Sequence, residues 1–567
     1  MVVSMRPYLK RDLERVRNTT RSFTLAHGEP VAWGYEGAEA IGITDIKTPE
    51  FGDPPEIRDE EVPVFWGCGV TPQLSVMDSG ISGQVVCHAP ATIICSATYM
   101  LSPKETSGTA ATPQDPLSTL DLSYLASSTS HLQDVPLPQL LRAYCIFLAS
   151  SSPRLVDAAP NALQSMQWVE FFADFHEKAI RHTFFSQFIG SETAVGTYPL
   201  LERLLSRGCS SLLNWSAEAE TVTFENIGGV NEATCHIDEV FQEMERAVQA
   251  AAGFHPEYKI KPTVLAIKIS GLVNDVRLFE RYTAFLKSAE GAEIRELGHG
   301  HPLQSSVLHL ARPDEAAISE FYEKLRQICR LAEHQGVRIV FDAEQSWYQP
   351  ALDSIVTSLA KEFNRSDVPV IYNTYQTNLK ETKSHILKDL AQSKREGYTL
   401  GLKIVRGAYV AAENSRAAQE GIESRVWSSK SLTDACFDEC SAIVLNELVG
   451  SLRHLVPGPS VIIATHNAFS IKKSLSYMMD HALIRNSGSS LDIDDRIRGR
   501  ILYAQLLGMA ENLSTALLQL FPQHGAPAHQ ASLLPIVALY VPYGEVKKVI
   551  PYLFRRYANL MLGNRAN

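Results

Sequence analysis

Short apolar runs alternate with longer stretches of helical spacing over most of the second half of the chain. The runs are Ser211–Trp215, Val264–Ile269, Val337–Phe341, Val368–Tyr372, Leu400–Val405, Val461–Ala464, Ile501–Leu506 and Ile536–Val541. Between them, apolar residues recur at helical spacing, as in Ile237–Ala252, Ala316–His334 and Leu432–Leu448. Short continuous apolar runs are typical of buried strands, and the spacing between them is typical of amphipathic helices.

Strands that alternate with helices pair in parallel, and eight such units close a (β/α)8 barrel of the TIM type. A doubly wound open sheet is the alternative. No Gly-x-Gly-x-x-Gly follows any run, which counts against a dinucleotide-binding sheet. We therefore predict an α/β protein with a TIM-like barrel over residues 208–567. A helical stripe from Leu140 to Leu148 predicts a helical arm over residues 136–207.

Residues 1–135 lack this periodicity. Glu50–Glu61 is rich in acids and prolines, and Ser102–Pro138 is rich in Ser, Thr and Pro. Such compositions bury little surface, so we predict a largely irregular N-terminal extension with linkers. The basic start is compatible with a targeting segment, although Asp12 and Glu14 depart from the acid-poor composition of transit peptides.

Composition narrows the function classes. The net charge of −11 argues against a general nucleic-acid binder, which needs a basic surface. Nine cysteines without a C-x-x-C pair suggest neither a disulfide framework nor a zinc cluster. His299 and His301 lack a third ligand nearby in the sequence, so we predict no metal site. No apolar stretch is long enough to predict a membrane-spanning helix.

Polar side chains lie at the C-terminal ends of nearly all the predicted strands, where a barrel of this type collects its chemistry. These positions are Lys268, Asp342–Glu344, Asn373–Gln376, Lys403, Arg406, Thr465–Asn467, Gln505 and Tyr540. Taken singly, Asp342 could be a helix cap and His466 a hydrogen-bonded structural histidine. Together they predict a cationic mouth that suits a phosphate-bearing cofactor and a carboxylate substrate.

A predicted helix near the C-terminus carries Arg555 and Arg556. Tyr552 lies three and four residues earlier and can share a face with at least one of them. A guanidinium is a planar fork that binds a carboxylate bidentately. The alternative is a solvated basic end that complements the helix dipole.

Six motifs together closely resemble the proline dehydrogenase family, in the order and spacing of its stand-alone, fungal-like eukaryotic members. They are Asp342–Glu344, Asn373–Gln376, Lys403–Tyr409, Ala464–Asn467, Gln505–Met509 and Tyr540–Gly544 with its continuation to Arg556. The similarity extends from about Leu137 to Gly563. It implies a distorted (β/α)8 barrel that holds FAD across the strand ends and oxidises L-proline.

The resemblance also assigns substrate-side roles. Arg555 and Arg556 would hold the proline carboxylate with help from Lys268, and Asp342 would pair with Arg556. Tyr540, Tyr552 and Leu507 would close over the ring. The residues implied to bind the cofactor are Asn373, Lys403, Arg406, Gly407, Ala408, Lys430, Thr465, His466, Asn467, Gln505 and Asn559.

The implied reaction is hydride transfer from the ring carbon beside the amine to the flavin. It gives 1-pyrroline-5-carboxylate, in the first step of proline catabolism to glutamate. Lys403, Arg406 and His466 would stabilise the negative charge of reduced flavin. The resemblance further implies a quinone acceptor and peripheral association with the matrix side of the mitochondrial inner membrane.

Two positions depart from the family pattern. Asn559 stands where relatives have a Glu that holds the cofactor ribose, and Val410 stands where bacterial relatives have an aromatic residue. Both changes affect residues implied to bind the adenosine part of FAD. Tyr540 is retained here, whereas relatives that prefer hydroxyproline have a smaller residue at this position. Proline is therefore the predicted substrate.

Two other functions stay open. A Schiff-base lyase or aldolase could use Lys268 or Lys403 as its nucleophile, although the arginine pair would then have no obvious role. A non-catalytic relative, kept as a binding protein, is the third hypothesis.

Overall fold

The structure is a computed structural model of the full chain. It describes residues 3–21, 28–46, 57–67, 137–150, 178, 180–216, 237–273, 275–288, 312–487, 490–521, 534–550 and 552–553. The chain divides into two compact units, Met1–Thr112 and Pro113–Asn567.

The first unit contains an antiparallel sheet of β1 (Val3–Leu9), β2 (Ala32–Trp33) and β3 (Glu61–Gly67), in the order β1-β3-β2. A 3-10 turn at Lys10–Asp12 and helices at Leu13–Arg21 and Gly34–Ala40 accompany the sheet. Val3 and Met5 pack against a small core that includes Phe65. These elements differ from the predicted irregular extension. Apolar residues alternate with polar ones along β1, which is typical of a half-buried strand, and Pro7 is tolerated because β1 lies at the sheet edge.

The second unit contains the predicted barrel. Its strands are β4 (Cys209–Trp215), β5 (Thr263–Ile267), β6 (Arg338–Phe341), β7 (Ile371–Gln376), β8 (Gly401–Val405) and β9 (Ser460–Ala464), followed by β12 and β13. A small hairpin of β10 (Ile484–Asn486) and β11 (Leu491–Ile493) precedes β12 (Ile501–Leu506) and β13 (Val537–Tyr543). Eight parallel strands close in the order β12-β13-β4-β5-β6-β7-β8-β9. The predicted barrel is confirmed.

The strand β7 begins three residues later than the predicted run at Val368–Tyr372. It therefore includes Asn373 and Gln376, which the prediction placed after the strand. Polar residues concealed this part of the strand because periodicity of apolar residues is the main sequence signal.

Helices of the second unit lie before and between the barrel strands. They span Leu137–Ser150, Ser186–Phe188, Tyr198–Leu205, Ile237–Gly253, Arg277–Lys287, Arg312–Gln335, Gln349–Phe363, Thr382–Glu396, Val410–Glu420, Lys430–His454, Ala468–Asp480 and Glu511–Leu520. A π-helical turn covers Arg181–Phe185, and 3-10 turns cover Val195–Thr197, Ile269–Leu272 and Asp495–Ile497. Residues 546–550 and 552–553 are helical. Within the described ranges, no helix combines the length and apolarity needed to cross a membrane.

Alternation along each strand separates two apolar layers. Residues such as Leu265, Ile339 and Ile404 face outward and pack in the core shared with the helices. The other parity faces the lumen, which is lined by Leu212, Val264, Ala266, Val340, Tyr372, Ile462, Leu502, Ala504, Ala538 and Tyr540. Polar residues near the strand ends can therefore meet only if they occupy the alternate positions that face the lumen.

Two carboxylates, Asp353 and Asp389, lie in the helical layer outside β7. The Tyr375 hydroxyl donates to Asp389 Oδ2 at 2.7 Å, and Asn373 Nδ2 donates to Asp353 Oδ1 at 2.9 Å. Burial raises the pKa of Asp389 to about 6; the hydrogen bond from Tyr375 opposes this rise, and the neighbouring Asp353 adds to it. The ionised form of Asp389 is therefore disfavoured in the folded protein.

The substitution Asp389→Asn should stabilise the protein at neutral pH. The unfolded aspartate has a pKa of about 3.9, so the folded state binds more protons than the unfolded state between about pH 4 and pH 6. The free energy of unfolding consequently falls as pH rises through this window. We expect the variant to be more stable than the original chain by about 1–2 kcal/mol at pH 7.5, with the difference vanishing near pH 4.

Urea unfolding at both pH values measures this difference. Asp492→Asn, at an exposed position on β11, is the control and should leave the pH dependence unchanged. An Asp389→Asn variant that is less stable than the original chain at pH 7.5 would contradict the assigned cost of ionisation.

Candidate functional site

Three side chains from different strands meet in the lumen at the C-terminal mouth of the barrel. Lys403 Nζ donates to Asp342 Oδ1 at 2.5 Å, and the Tyr540 hydroxyl donates to Asp342 Oδ2 at 2.8 Å. The ammonium also lies 5.0 Å from the centre of the Tyr540 ring. Only 7% of the Lys403 side chain and 11% of the Asp342 side chain are exposed. We call Asp342, Lys403 and Tyr540 the mouth cluster.

Strand geometry brings the mouth cluster together. Lys403 and Tyr540 lie on β8 and β13, and Asp342 follows β6 directly, where its N–H still bonds to Ile267 O on β5 at 2.9 Å. Both oxygens of Asp342 therefore have a partner, as a buried charge requires. The sequence predicted Lys403 as a cofactor ligand, but one of its three N–H donors is committed to Asp342.

Lys268 follows β5 and lies near a carboxylate that received no predicted role. Glu344 is buried and accepts hydrogen bonds from Ser270 N at 2.9 Å, from the Ser270 hydroxyl, and from the Tyr348 hydroxyl at 3.2 Å. Burial raises the pKa of Glu344, and the Ser270 bonds and the charge of Lys268 oppose this rise. Lys268 thus acts on a buried carboxylate through its charge. The Asp-Ala-Glu triplet was the available sequence signal.

Arg406 and Lys430 share the carboxylate of Asp434, another residue that the sequence predictions missed. Arg406 Nε donates to Asp434 Oδ1 at 2.6 Å, and Lys430 Nζ donates to Asp434 Oδ2 at 3.0 Å. The Arg406 guanidinium also bonds to the hydroxyls of Thr465 and, at 2.8 Å, Ser470. Three predicted cofactor residues, Arg406, Lys430 and Thr465, therefore lie in one hydrogen-bonded group beside β8 and β9.

Three other predicted cofactor residues bond to the barrel wall. Asn373 donates to Asp353, and Gln505 Oε1 accepts from the Ser514 hydroxyl at 3.2 Å. Asn467 caps the helix Ala468–Asp480 by accepting from the N–H groups of residues 469 and 470. Their contacts within the described chain are structural.

His466, Gly407 and Ala408 lie at the ends of neighbouring strands. His466 is exposed, and its Nε2 accepts from Leu506 N at 2.9 Å, which assigns the ring proton of the neutral form to Nδ1. Gly407 has a φ of +126°, and a Cβ there would lie 2.2 Å from Asn378 Oδ1. Glycine is therefore required by the neighbouring side chain as well as by the backbone. Ala408 N donates to Gln376 Oε1 at 3.4 Å.

The remaining substrate-side residues separate into two groups. Leu507 is half-buried, and its N–H bonds to Tyr540 O at 3.1 Å, so it adjoins the mouth cluster. Tyr552 is buried in another cluster with Phe188 and Ile146 from the helical arm. The structure thus brings Tyr540 and Leu507 together but packs Tyr552 against the arm. Arg555, Arg556 and Asn559 lie outside the described residues.

Asn214 is a lumen residue that the sequence predictions missed. It is only 1% exposed and lies two residues after Leu212, with Ala266 and Pro542 as its neighbours on β5 and β13. Its Nδ2 donates to the Ser216 hydroxyl at 2.7 Å, whereas its buried Oδ1 has no hydrogen-bond donor among the described residues. An acceptor in this state suits a ligand that carries an N–H or O–H group.

The side chains at the mouth define the kind of ligand that it can bind. No group of three or more His, Cys, Asp or Glu side chains in the described part of the chain is arranged to hold a metal ion. The mouth offers cations near strands β5, β8 and β9, with buried carboxylates beside them. Such a site can bind a molecule that combines anionic, hydrogen-bonding and apolar parts.

The mouth cluster should behave as one energetic unit. Lys403→Met would leave the buried Asp342 carboxylate without its counter-charge and should destabilise the chain by about 3–5 kcal/mol. In the double variant Asp342→Asn/Lys403→Met, the loss should be smaller than the sum of the single losses by about 1–3 kcal/mol. Urea unfolding of the four proteins measures this coupling.

The same cycle on the pair Lys380–Glu423 is the control, because 87% of the Glu423 side chain is exposed. Exposed pairs are screened by water, so we expect near-additive losses there. Additive losses at Lys403 and Asp342 as well would show that the two charges are not coupled in the folded protein.

Comparisons with known proteins divide the chain into two parts. A family model described as D-glutamate cyclase matches residues 1–97. A Schizosaccharomyces pombe protein, provisionally named as a hydro-lyase, is 55% identical over 89 residues, which are 16% of this chain and 30% of that protein. The predicted extension, with its targeting and linker segments, did not anticipate this similarity.

The larger part matches another family model, described as proline dehydrogenase, over residues 213–561. Proline dehydrogenase 1, mitochondrial, of Homo sapiens is 31% identical over 256 residues, which are 45% of this chain and 37% of that protein. Hydroxyproline dehydrogenase of Bos taurus is 26% identical over 442 residues, which are 75% of this chain and 86% of that protein.

The aligned part of this chain spans little more than a third of the human relative and 61% of a Dictyostelium discoideum relative that is also named proline dehydrogenase 1. The family model nevertheless covers more than half of the chain and includes seven of the eight barrel strands completely. The resemblance predicted from six motifs is confirmed, and this chain belongs to the proline dehydrogenase family.

Proposed function

We propose that this chain oxidises L-proline to 1-pyrroline-5-carboxylate with bound FAD. The observation that carries the proposal is the mouth cluster, a paired buried carboxylate in the barrel mouth of a proline dehydrogenase family member. It also weighs against a Schiff-base lyase that uses Lys403 as its nucleophile. Lys403 donates to Asp342 as an ammonium, whereas a Schiff-base nucleophile must present a neutral amine.

Proline has a carboxylate, an amine and a small apolar ring. We propose that Arg555 and Arg556, which lie outside the described residues, bind the carboxylate as planar forks with help from Lys268. The ring would lie against Tyr540 and Leu507. Some relatives are named hydroxyproline dehydrogenase, but the large Tyr540 ring, anchored to Asp342, favours the substrate without the extra hydroxyl.

The strand ends of β8 and β9 fit a flavin cofactor. Asn378 Oδ1 is a buried acceptor without a donor in the described part of the chain, and the flavin ring carries an N–H group. Arg406 and Lys430 would stabilise negative charge on the cofactor, and His466 Nδ1–H would donate a hydrogen bond to it. The bound flavin supplies the acceptor of the hydride. Among the other residues predicted to bind it, Gly407 and Ala408 would contribute backbone groups. Asn373, Asn467 and Gln505 would act through their contacts with the barrel wall, and Lys403 through its pair with Asp342.

Asn214 would orient the substrate amine. The amine must be neutral before the adjacent carbon can lose a hydride, and a neutral secondary amine still has one N–H donor. We propose that Asn214 Oδ1 accepts a hydrogen bond from this group. The bond would satisfy an acceptor whose burial without a partner costs about 1–3 kcal/mol, and it would direct the amine lone pair away from the β4 wall.

Asn214→Leu should weaken proline binding but spare an analogue without the amine. Oxolane-2-carboxylate keeps the ring and the carboxylate and replaces N–H with an ether oxygen. We expect the proline KM to rise about tenfold, as the loss of one hydrogen bond implies, with the inhibition constant of the analogue nearly unchanged. Steady-state kinetics measure both values.

Two further variants make this test specific. Ser216→Ala removes the partner of Asn214 Nδ2 and should leave the ratio of the two constants unchanged. Asn214→Asp keeps an acceptor, and its charge should stabilise the protonated amine and shift the kcat/KM profile to higher pH. Equal losses for proline and for the analogue in Asn214→Leu would remove Asn214 from amine recognition.

The purified chain should carry a flavin absorption band that bleaches when proline is added under anaerobic conditions. Arg556→Ala should retain the band but raise the proline KM about tenfold or more, because charged hydrogen bonds to the carboxylate are lost. Arg395→Ala, at a side chain that is 71% exposed, is the matched control. A colourless, inert chain would favour the non-catalytic relative, and an unchanged KM in Arg556→Ala would contradict the carboxylate assignment.

The electron acceptor and the location of the protein extend this proposal. Several relatives are named mitochondrial, and we propose a mitochondrial location on the matrix side of the inner membrane with a quinone acceptor. No nucleic-acid partner is proposed. Addition of a soluble quinone to the proline-reduced protein should restore the flavin band, and a band that stays bleached would contradict the quinone assignment.

A further inference from the structure

The N-terminal end of the barrel lumen carries polar side chains where TIM barrels usually pack branched apolar residues. Arg338 is the first residue of β6, Ser460 is the first residue of β9, and Arg500 directly precedes β12. All three are nearly inaccessible, with exposures of 3%, 0% and 6%. Each lies two positions before a lumen-lining residue of its strand, and these residues are Val340, Ile462 and Leu502.

Backbone contacts place these side chains next to one another. Val461 N bonds to Arg500 O at 2.7 Å, which puts Arg500 beside Ser460. Arg338 Nη1 lies 3.3 Å from Gly499 O, the carbonyl that precedes Arg500. The hydroxyl of Tyr372, a lumen residue of β7, interacts with the Arg338 guanidinium and with the Ser460 hydroxyl, and Arg500 acts on it through its charge. We call Arg338, Tyr372, Ser460 and Arg500 the basal cluster.

The two guanidinium groups of the basal cluster have few good acceptors. Arg338 Nη1 and Nη2 are 3.3 Å and 3.5 Å from carbonyl oxygens, near the limit of a hydrogen bond. Arg500 Nη2 makes one bond of ordinary length, 2.8 Å to Gly458 O. The Nε atoms of both arginines are buried without a partner in the described residues. A guanidinium has five N–H donors, so most of the donors here are poorly satisfied.

Their positive charge is also unbalanced. Neither arginine forms an ion pair with a carboxylate of the described residues, whereas Arg406, at the other end of the barrel, is paired with Asp434. Asp367 acts on Arg500 only through its charge and lies in an exposed loop. Burial lowers the pKa of Arg500, and the charge of Asp367 opposes that change. Arginine nevertheless stays protonated at neutral pH, so two buried positive charges lie at the N-terminal end of the barrel.

We propose that the basal cluster binds a small oxyanion such as phosphate or a carboxylate. An isolated buried charge is strongly unfavourable, and buried charges in proteins are normally paired. An oxyanion presents several acceptors at once to two planar forks, and the hydroxyls of Tyr372 and Ser460 add donors. The site is at the opposite end of the lumen from the mouth cluster, and it is independent of the proposed oxidation of proline.

The test uses thermal unfolding of the full chain with its cofactor bound, at pH 7.5 and constant ionic strength. Replacement of chloride by phosphate should raise the Tm by about 1–3 °C in a saturable manner, because a ligand that binds only the folded state stabilises it. The same titration with acetate compares a phosphate with a carboxylate. A rise with phosphate alone assigns phosphate, and a rise with acetate alone assigns carboxylates.

Variants locate the effect. Arg500→Lys keeps the positive charge but loses the planar guanidinium. It should raise the half-saturating anion concentration about tenfold. Arg338→Met should abolish the shift. Arg556→Ala, which alters the proposed substrate site, should retain it, as should the surface variant Arg395→Met.

Direct titration calorimetry of the unmutated protein with phosphate and with acetate keeps the test decisive if Arg338→Met does not fold. One saturable site per chain that weakens in Arg500→Lys supports the proposal. The absence of a saturable effect of either anion in the unmutated protein would overturn it, as would shifts of equal size in the original chain and in Arg500→Lys.

Discussion

The ion pair between Lys403 and Asp342 is the constraint on which the rest of the mouth depends. A carboxylate that is 11% exposed needs a counter-charge, and Lys403 supplies it across the lumen while Tyr540 satisfies the second oxygen. The three residues belong to β8, β13 and the segment after β6, so the barrel must close before they can meet. Closure of the barrel and formation of the site are therefore one event.

Charge balance distinguishes the two ends of the lumen. At the mouth, Lys403 is paired with Asp342, and Lys268 lies near Glu344. This end is therefore less cationic than a count of its lysines and arginines suggests. At the base, Arg338 and Arg500 lack an equivalent carboxylate in the described chain. The buried charges of the mouth cluster are therefore paired within the barrel, whereas those of the basal cluster are proposed to be balanced by a bound anion.

The sequence predicted the barrel well because most of its strands contain a short run in which apolar residues predominate, such as Val264–Ile267 and Val461–Ala464. The predicted position of β7 was displaced because polar residues such as Asn373 lie within that strand. The sheet that begins at Val3 was missed because only a short alternation of apolar and polar residues marks its first strand. At the site, motif positions were predictable, but partners such as Asp434 were not. They come from helices distant in sequence, and no periodicity marks a side chain that becomes functional only by contact.

The most direct measurement is a crystal structure of the flavin-bound chain with oxolane-2-carboxylate. We expect the carboxylate of the analogue to contact Arg555 and Arg556, and its ring to lie between the flavin and Tyr540. We also expect Asp342 to keep its bonds to Lys403 and Tyr540. Arg555 and Arg556 on the outer surface, with the analogue bound away from the mouth cluster, would contradict it.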